Sequence, residues 1–142
     1  MKTPARFLLD TSAFVRLTRD ADLSAAWREA IGAGVLSVCL LTALEILRSA
    51  PSKADRQAIE SVFRRSCCWV VMPEQIFQRA ASVQEGLTER GTNRSASPID
   101  LLVAATAEAH DLTLLHYDHD FVRVAAVTGQ RVRWLADPGS LD

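Results

Sequence analysis

The sequence predicts a three-layer α/β/α sandwich around a central, mostly parallel five-stranded sheet. Three observations carry that expectation. Short apolar runs alternate with helix-period segments along the chain, and Gly, Pro or polar turn residues punctuate the junctions. The third is length: 142 residues bury roughly 68–70% of their unfolded surface, enough for a core without disulfides or structural metal. One domain over residues 1–142 is expected.

Residues 6–9 place Phe7, Leu8 and Leu9 ahead of Asp10 and read as the first strand. Residues 11–17 and 23–31 have helical periodicity, the second closing on Gly32 and Gly34. Residues 35–40 read as a second strand. Residues 42–50 read as a helix stopped by Pro51, with Thr42 and Glu45 at capping-box spacing. Residues 52–65 carry Ile59, Val62 and Phe63 at helical spacing. A third strand is expected over 67–72, after which Pro73 opens a long helix to about residue 90. Residues 91–97 form a polar loop. Residues 98–109 are apolar nearly all round, so their helix is expected to be buried; it starts Ser97-Pro98-Ile99-Asp100, with Pro at the first helical position. Residues 112–115 give a fourth strand, 121–127 a helix ending near Gly129, and 132–135 a fifth strand. Right-handed crossovers join parallel strands of this kind.

With 49% hydrophobic and 23% charged residues, disorder is excluded. Sixteen Lys and Arg against 17 Asp and Glu exclude binding of nucleic acid or membrane by bulk positive charge. Residues 1–4 lead into an apolar run too short for a signal segment, and no run approaches the length of a membrane span. A cytoplasmic protein without membrane contact is expected. The three cysteines lack metal-site spacing and read as buried free thiols.

In such a sheet, strand C-termini and helix N-termini share one edge, where open α/β sheets bind ligands. Asp10 follows strand one, Glu45 falls in the first turn after strand two, and Asp100 opens the buried helix. Asp118 and Asp120 follow strand four. Singly, each has a structural use as a cap or helix-dipole partner, worth about 0.3–1 kcal/mol. Jointly they do not, because two carboxylates about 5 Å apart repel by roughly 3 kcal/mol at an effective dielectric near 20. Such a cluster must protonate, spread apart or bind a cation. An oxygen-only donor set suits Mg²⁺, and also Mn²⁺. A hard divalent ion at a sheet edge implies phosphoryl transfer or phosphodiester hydrolysis.

Four segments resemble, in order and spacing, the acidic motifs of PIN domains: Leu8-Leu9-Asp10-Thr11-Ser12-Ala13, Glu45 within Leu41-Thr42-Ala43-Leu44-Glu45-Ile46, Asp100 in the stretch from Ser97 to Ala107, and Tyr117-Asp118-His119-Asp120-Phe121. Over about residues 6–135 the chain is similar to VapC-type toxins of bacterial toxin–antitoxin pairs. The resemblance implies a PIN fold and a metal-dependent endoribonuclease acting on RNA. It also implies a homodimer held inactive by a cognate VapB-type antitoxin. Asp10, Glu45, Asp100 and Asp118 fall on the family's acidic, catalytic positions. The implied roles are metal ligation for Asp10, Asp100 and Asp118, and orientation or deprotonation of the attacking water for Glu45. The products implied are a 5′-phosphate and a 3′-hydroxyl. The fourth acid is Asp118 or Asp120, where Asp118 lies nearer the strand end and Asp120 would support the site or cap the helix. Thr11 or Ser12 either places a hydroxyl on the site or starts a helix. The family often has Thr or Ser where His116 stands.

Arg94, ahead of Asp100, either contacts a substrate phosphate bidentately or is a surface arginine. His110-Asp111 and His119-Asp120 invite comparison with HD-type phosphohydrolases, which use an all-helical scaffold. A phosphorelay receiver would need an acceptor Asp after strand three, where Val70-Val71-Met72-Pro73 stands. A haloacid-dehalogenase-like phosphatase would need Asp-x-Asp where Asp10-Thr11-Ser12 stands. A PIN-like RNA-processing nuclease outside any toxin–antitoxin pair, or a non-catalytic RNA-binding module, is the rival reading. Trp27, Trp69 and Trp134 read as core or interface anchors. Leu40, Leu41, Leu44 and Leu47, with Ile59, Val62 and Phe63, form apolar faces suited to packing or to antitoxin or dimer contact. From 99 to 121 there are five acidic residues and no Lys or Arg, so an acidic pocket with a basic rim of Arg94, Arg123, Arg131 and Arg133 is expected.

Overall fold

Five short strands pair in parallel: β1 (Phe7–Leu9), β2 (Leu36–Val38), β3 (Cys68–Trp69), β4 (Thr113–His116) and β5 (Val132–Trp134). The computed structural model describes residues 6–141; residues 1–4, read above as lacking a signal segment, lie outside the described residues. The order is β3-β2-β1-β4-β5. The chain winds outward from β1 in one direction and then, from β4, in the other. The junction of β1 and β4 is therefore the switch point, where a crevice opens beyond the strands' C-terminal ends. Leu9 pairs with Leu115 there, and Asp10 is the next residue.

Among the described residues, eight helices cover the two faces: α1 (Thr11–Arg19), α2 (Ala21–Ala26), α3 (Arg28–Gly32), α4 (Leu40–Leu47), α5 (Lys53–Ser66), α6 (Ile76–Glu89), α7 (Pro98–Ala109) and α8 (Asp120–Thr128). Successive strand side chains point to opposite faces. Leu8 and Leu114 accordingly enter a core with α6, α7 and α8, including Val83, Leu87, Val103 and Phe121. Leu9 and Leu115 enter a second core with Phe14, Ile46, Leu47 and Phe63. This is the expected three-layer sandwich. Gly86 permits a close approach of α6 to α8, since a Cβ there would stand 2.7 Å from Cγ1 of Val127. No helix among the described residues is long and apolar enough to cross a membrane.

Several expectations are corrected. The helix read over 23–31 is broken at Trp27 (φ −97°, ψ 3°). The Trp27 indole turns in to meet Phe7 edge-on at 5.6 Å, under the Arg133 guanidinium at 5.0 Å. The second strand ends at Val38 and α4 starts at Leu40, with Cys39 as an N-cap that makes no side-chain cap bond. Thr42 is therefore inside the helix, its hydroxyl 3.6 Å from the Cys39 sulfur, and there is no capping box with Glu45. An apolar run such as 35–41 does not tell buried strand from buried helix. Finally, β3 is only two residues long and forms a sheet edge. Trp69 is 53% exposed and touches Phe63, so it is not a core residue. All three thiols are free, but only Cys39 is buried and Cys68 is exposed.

Candidate active site

Asp10 leaves β1 with its amide donating to the Leu115 carbonyl of β4 (3.0 Å). Its carboxylate, 4% exposed, caps α1: Oδ2 accepts from the Ser12 amide (2.9 Å) and the Ser12 hydroxyl (2.7 Å). The Ser12 oxygen in turn accepts from the Tyr117 amide (2.8 Å) beyond β4. Burial pushes the Asp10 carboxyl up to about 6; the Ser12 bonds oppose this and the charge of Asp100 adds to it. Thr11 donates its hydroxyl to Oε1 of Glu45. The two consecutive hydroxyls of α1 thus serve two different carboxylates.

Asp100 sits in a true capping box at the start of α7. Its Oδ2 accepts from the Ser97 amide (3.1 Å), and its own amide donates to Ser97 Oγ (3.1 Å). Burial raises the Asp100 carboxyl above its ordinary value, and the charges of Asp118 and Glu45 push the same way. The cap explains where Asp100 stands but not why its surroundings are acidic. Ser97→Ala is expected to cost about 1 kcal/mol of stability, read by urea unfolding, and to lower activity beyond that loss because Asp100 loses its anchor.

Asp118 accepts from the Asp120 amide through Oδ1 (2.9 Å). Asp120, one residue into α8, pairs with Arg123 at 3.0 Å. Burial, then the charge of Asp118, raises the Asp120 carboxyl. Of the two candidates for the fourth position, Asp118 bears on Asp100 while Asp120 is engaged by an arginine. None of Asp10, Glu45, Asp100 or Asp118 has an ion-pair partner among the described residues.

His116, the last residue of β4, is fully buried. Its Nδ1 accepts from the Asp118 amide (3.2 Å). Its ring lies against Trp134 (4.8 Å) and Phe121 (5.4 Å). Burial pushes the imidazole down to about 4, although Asp118 pulls the other way. Sequence reasoning noted His116 only as standing where the family often has Thr or Ser, and gave it no role in the site. The signal available was its place in the apolar run Leu114-Leu115-His116, where a strand end meets the acidic edge. Arg16 was also missed: it donates to the Ser12 carbonyl (3.1 Å) and lies 4.8 Å over the Tyr117 ring.

The basic rim is narrower than expected. Arg94 is exposed in the loop before α7. Arg123 is beside the site, but Arg131 binds Asp111 (2.8 Å) and Arg133 covers Phe7 and Trp27. Arg131 precedes β5, and Phe7 opens β1, so both arginines belong to the opposite edge. Glu108, held by Arg79 at 2.7 and 3.0 Å, and Asp111 also lie outside the cluster. A cleft of about 570 Å³ between α1 and residues 140–141 is lined by Arg16 and Arg19 but by none of the four carboxylates.

Among the described residues, no three His, Cys, Asp or Glu side chains stand in an arrangement that by itself would hold a metal ion. Asp10, Glu45, Asp100 and Asp118 present only oxygens and have no ion-pair partner among the described residues, and burial raises the carboxyls of Asp10 and Asp100. That donor set fits a hard divalent cation, which keeps several waters and takes one or two carboxylates directly.

The PIN domain family matches residues 7–127. Ribonuclease VapC21 of Mycobacterium tuberculosis is 38% identical over 135 residues, covering 95% of this chain and 97% of that protein. Ribonuclease VapC2 of the same species is 40% identical over 135 residues, with 94% of each chain covered. Among solved structures, DNA-bound VapBC from Salmonella typhimurium aligns with a TM-score of 0.75 at 17% identity, covering 93% of this chain and 99% of that one. VapBC-1 from nontypeable Haemophilus influenzae gives 0.73 at 20% identity, covering 94% and 98%. At those identities the structural match is one of fold; the sequence relatives carry the family. The chain is a PIN-domain protein of the VapC ribonuclease family.

Proposed function

We infer that this protein is a metal-dependent endoribonuclease and the toxin of a VapBC-type pair, with RNA as substrate and a cognate VapB-type antitoxin as partner. The observation that carries the reading is the set of four carboxylates, without an ion-pair partner among the described residues, at the switch point of a VapC-family chain. Support for the partner is that the structural neighbours are VapBC complexes. A homodimer is the proposed assembly, and the exposed Leu40 and Leu44 of α4 are apolar surface available to a protein partner.

Asp10, Asp100 and Asp118 would hold Mg²⁺ or Mn²⁺, partly through water. The bound ion supplies polarisation of the scissile phosphate and a more acidic attacking water. Glu45 receives the Thr11 hydroxyl on Oε1, which leaves Oε2 to orient that water and take its proton. Ser12 fixes the Asp10 carboxylate. Arg94, exposed ahead of Asp100, contacts a substrate phosphate. Asp120 is the supporting acid, holding Arg123 beside the site.

The test is incubation of partner-free protein with RNA and Mg²⁺ or Mn²⁺, alongside Asp10→Asn and Asp100→Asn. Cleavage is expected with metal and lost with EDTA and in both variants. Cleavage that survives EDTA, or survives in both variants, overturns the reading. RNA binding that is unaffected by loss of the carboxylates and never accompanied by cleavage establishes the non-catalytic alternative.

A further inference from the structure

We propose that His116 is a positioning residue for Asp118, holding the β4–α8 turn so that one carboxylate oxygen of Asp118 stays available to the acidic cluster. The proposal rests on the carboxylate–cation reading above. Its first support is an imbalance. His116 is 0% exposed, and its Nε2 has no hydrogen-bond partner. Burying an unpaired polar atom is unfavourable. An apolar side chain between Trp134 and Phe121 would avoid that cost. The compensation visible in the structure is at Nδ1, which accepts from the Asp118 amide at 3.2 Å. An accepting Nδ1 places the proton on Nε2, so the imidazole is neutral and in one tautomer.

The second support is the pattern of the turn. Three of its amides are held by side chains: Tyr117 by the Ser12 hydroxyl, Asp118 by His116, and Asp120 by Oδ1 of Asp118. Ser12 is also the residue that fixes Asp10. The first and fourth acids are thus tied to one short backbone segment, and His116 supplies its middle anchor. Because Oδ1 of Asp118 accepts from the Asp120 amide inside the same turn, the geometry of the turn sets where Oδ2 stands.

Two variants separate positioning from packing. His116→Leu removes the acceptor and fills the same space. His116→Asn keeps an acceptor, because an Asn side chain bonds the backbone amide two residues on. Three quantities are read: Mn²⁺ affinity of RNA-free protein by paramagnetic resonance, hydrogen exchange of the Asp118 amide by NMR, and RNA cleavage. For His116→Leu we expect Mn²⁺ affinity about tenfold weaker and faster exchange at Asp118, with a cooperative melt retained. His116→Asn should recover most of both losses. Wild-type Mn²⁺ affinity in His116→Leu, or a folded His116→Asn as weak as the Leu variant, overturns the proposal. Should His116→Leu not fold, His116→Asn decides by itself: affinity near wild type supports positioning, and loss overturns it. Asp10→Asn is the control. If it too binds Mn²⁺ like wild type, the cation reading has failed, and Asp118 amide exchange then decides the role of His116.

Discussion

Asp10→Asn is expected to reduce RNA cleavage by more than about 100-fold and, at the same time, to stabilise the metal-free fold at pH 7. The loss follows from its place in the site. Replacing groups that merely support metal ligands costs about 10–100-fold, and Asp10 is assigned as a ligand. The gain follows from its burial. At 4% exposure, its carboxyl titrates near 6 instead of 3.8. One pKa unit is about 1.4 kcal/mol between protonation states, so ionised Asp10 costs the metal-free fold about 3 kcal/mol at pH 7. Asn keeps an acceptor for the Ser12 amide and hydroxyl, carries no charge, and ends the repulsion with Asp100. Its amide group needs donors satisfied in a tight space, which returns part of the gain, leaving about 1–2 kcal/mol. Urea unfolding at pH 7 in EDTA measures the difference. An Asp10→Asn protein less stable than its parent would show that the carboxylate is not strained by desolvation, and one that still cleaves would remove it from the site.

The parts legible in the sequence were those written in local code. The capping box of α7 needs only Ser97, Pro98 and Asp100, and it stands as read. The acidic edge was legible because topology alone brings strand ends and helix starts together. Illegible features depend on residues far apart in the chain. The break at Trp27 exists because Phe7 and Arg133 receive the indole. The exposure of Trp69 follows from β3 falling on the edge of the order β3-β2-β1-β4-β5, which no local pattern states. Arg131 and Arg133 were placed on the rim by sequence proximity to the acids, whereas residues entering a parallel strand lie at its far edge. The pairing of Thr11 with Glu45 spans 34 residues and that of Ser12 with Tyr117 spans 105. Periodicity does not reach those distances.

Between about pH 4 and 6.5 the metal-free fold should be governed by two buried groups with opposite linkage. Asp10 has its folded-state pKa raised from 3.8 to about 6. The folded state holds a proton that the unfolded chain releases, so this contribution is present below 3.8 and lost as pH rises through 6. His116 has its value lowered from 6.5 to about 4. There the unfolded chain takes up the proton first, so the contribution is present above 6.5 and lost as pH falls through 4. Each slope is about 1.4 kcal/mol per pH unit, with opposite sign, and in the parent protein they largely cancel. Asp100 and Asp120, both raised, add to the sign of Asp10. Asp10→Asn should expose the histidine and lose stability by about 3 kcal/mol on acidification from pH 6.5 to 4. His116→Leu should do the reverse and gain stability as pH falls from 6 to 4. Urea unfolding in EDTA at half-unit steps reads both curves. Parallel profiles for the two variants would refute the opposed burial of these groups. Diverging profiles would show that the strand end carries a neutral base beside strained acids, so that a bound cation stabilises the fold most where Asp10 is ionised, above pH 6.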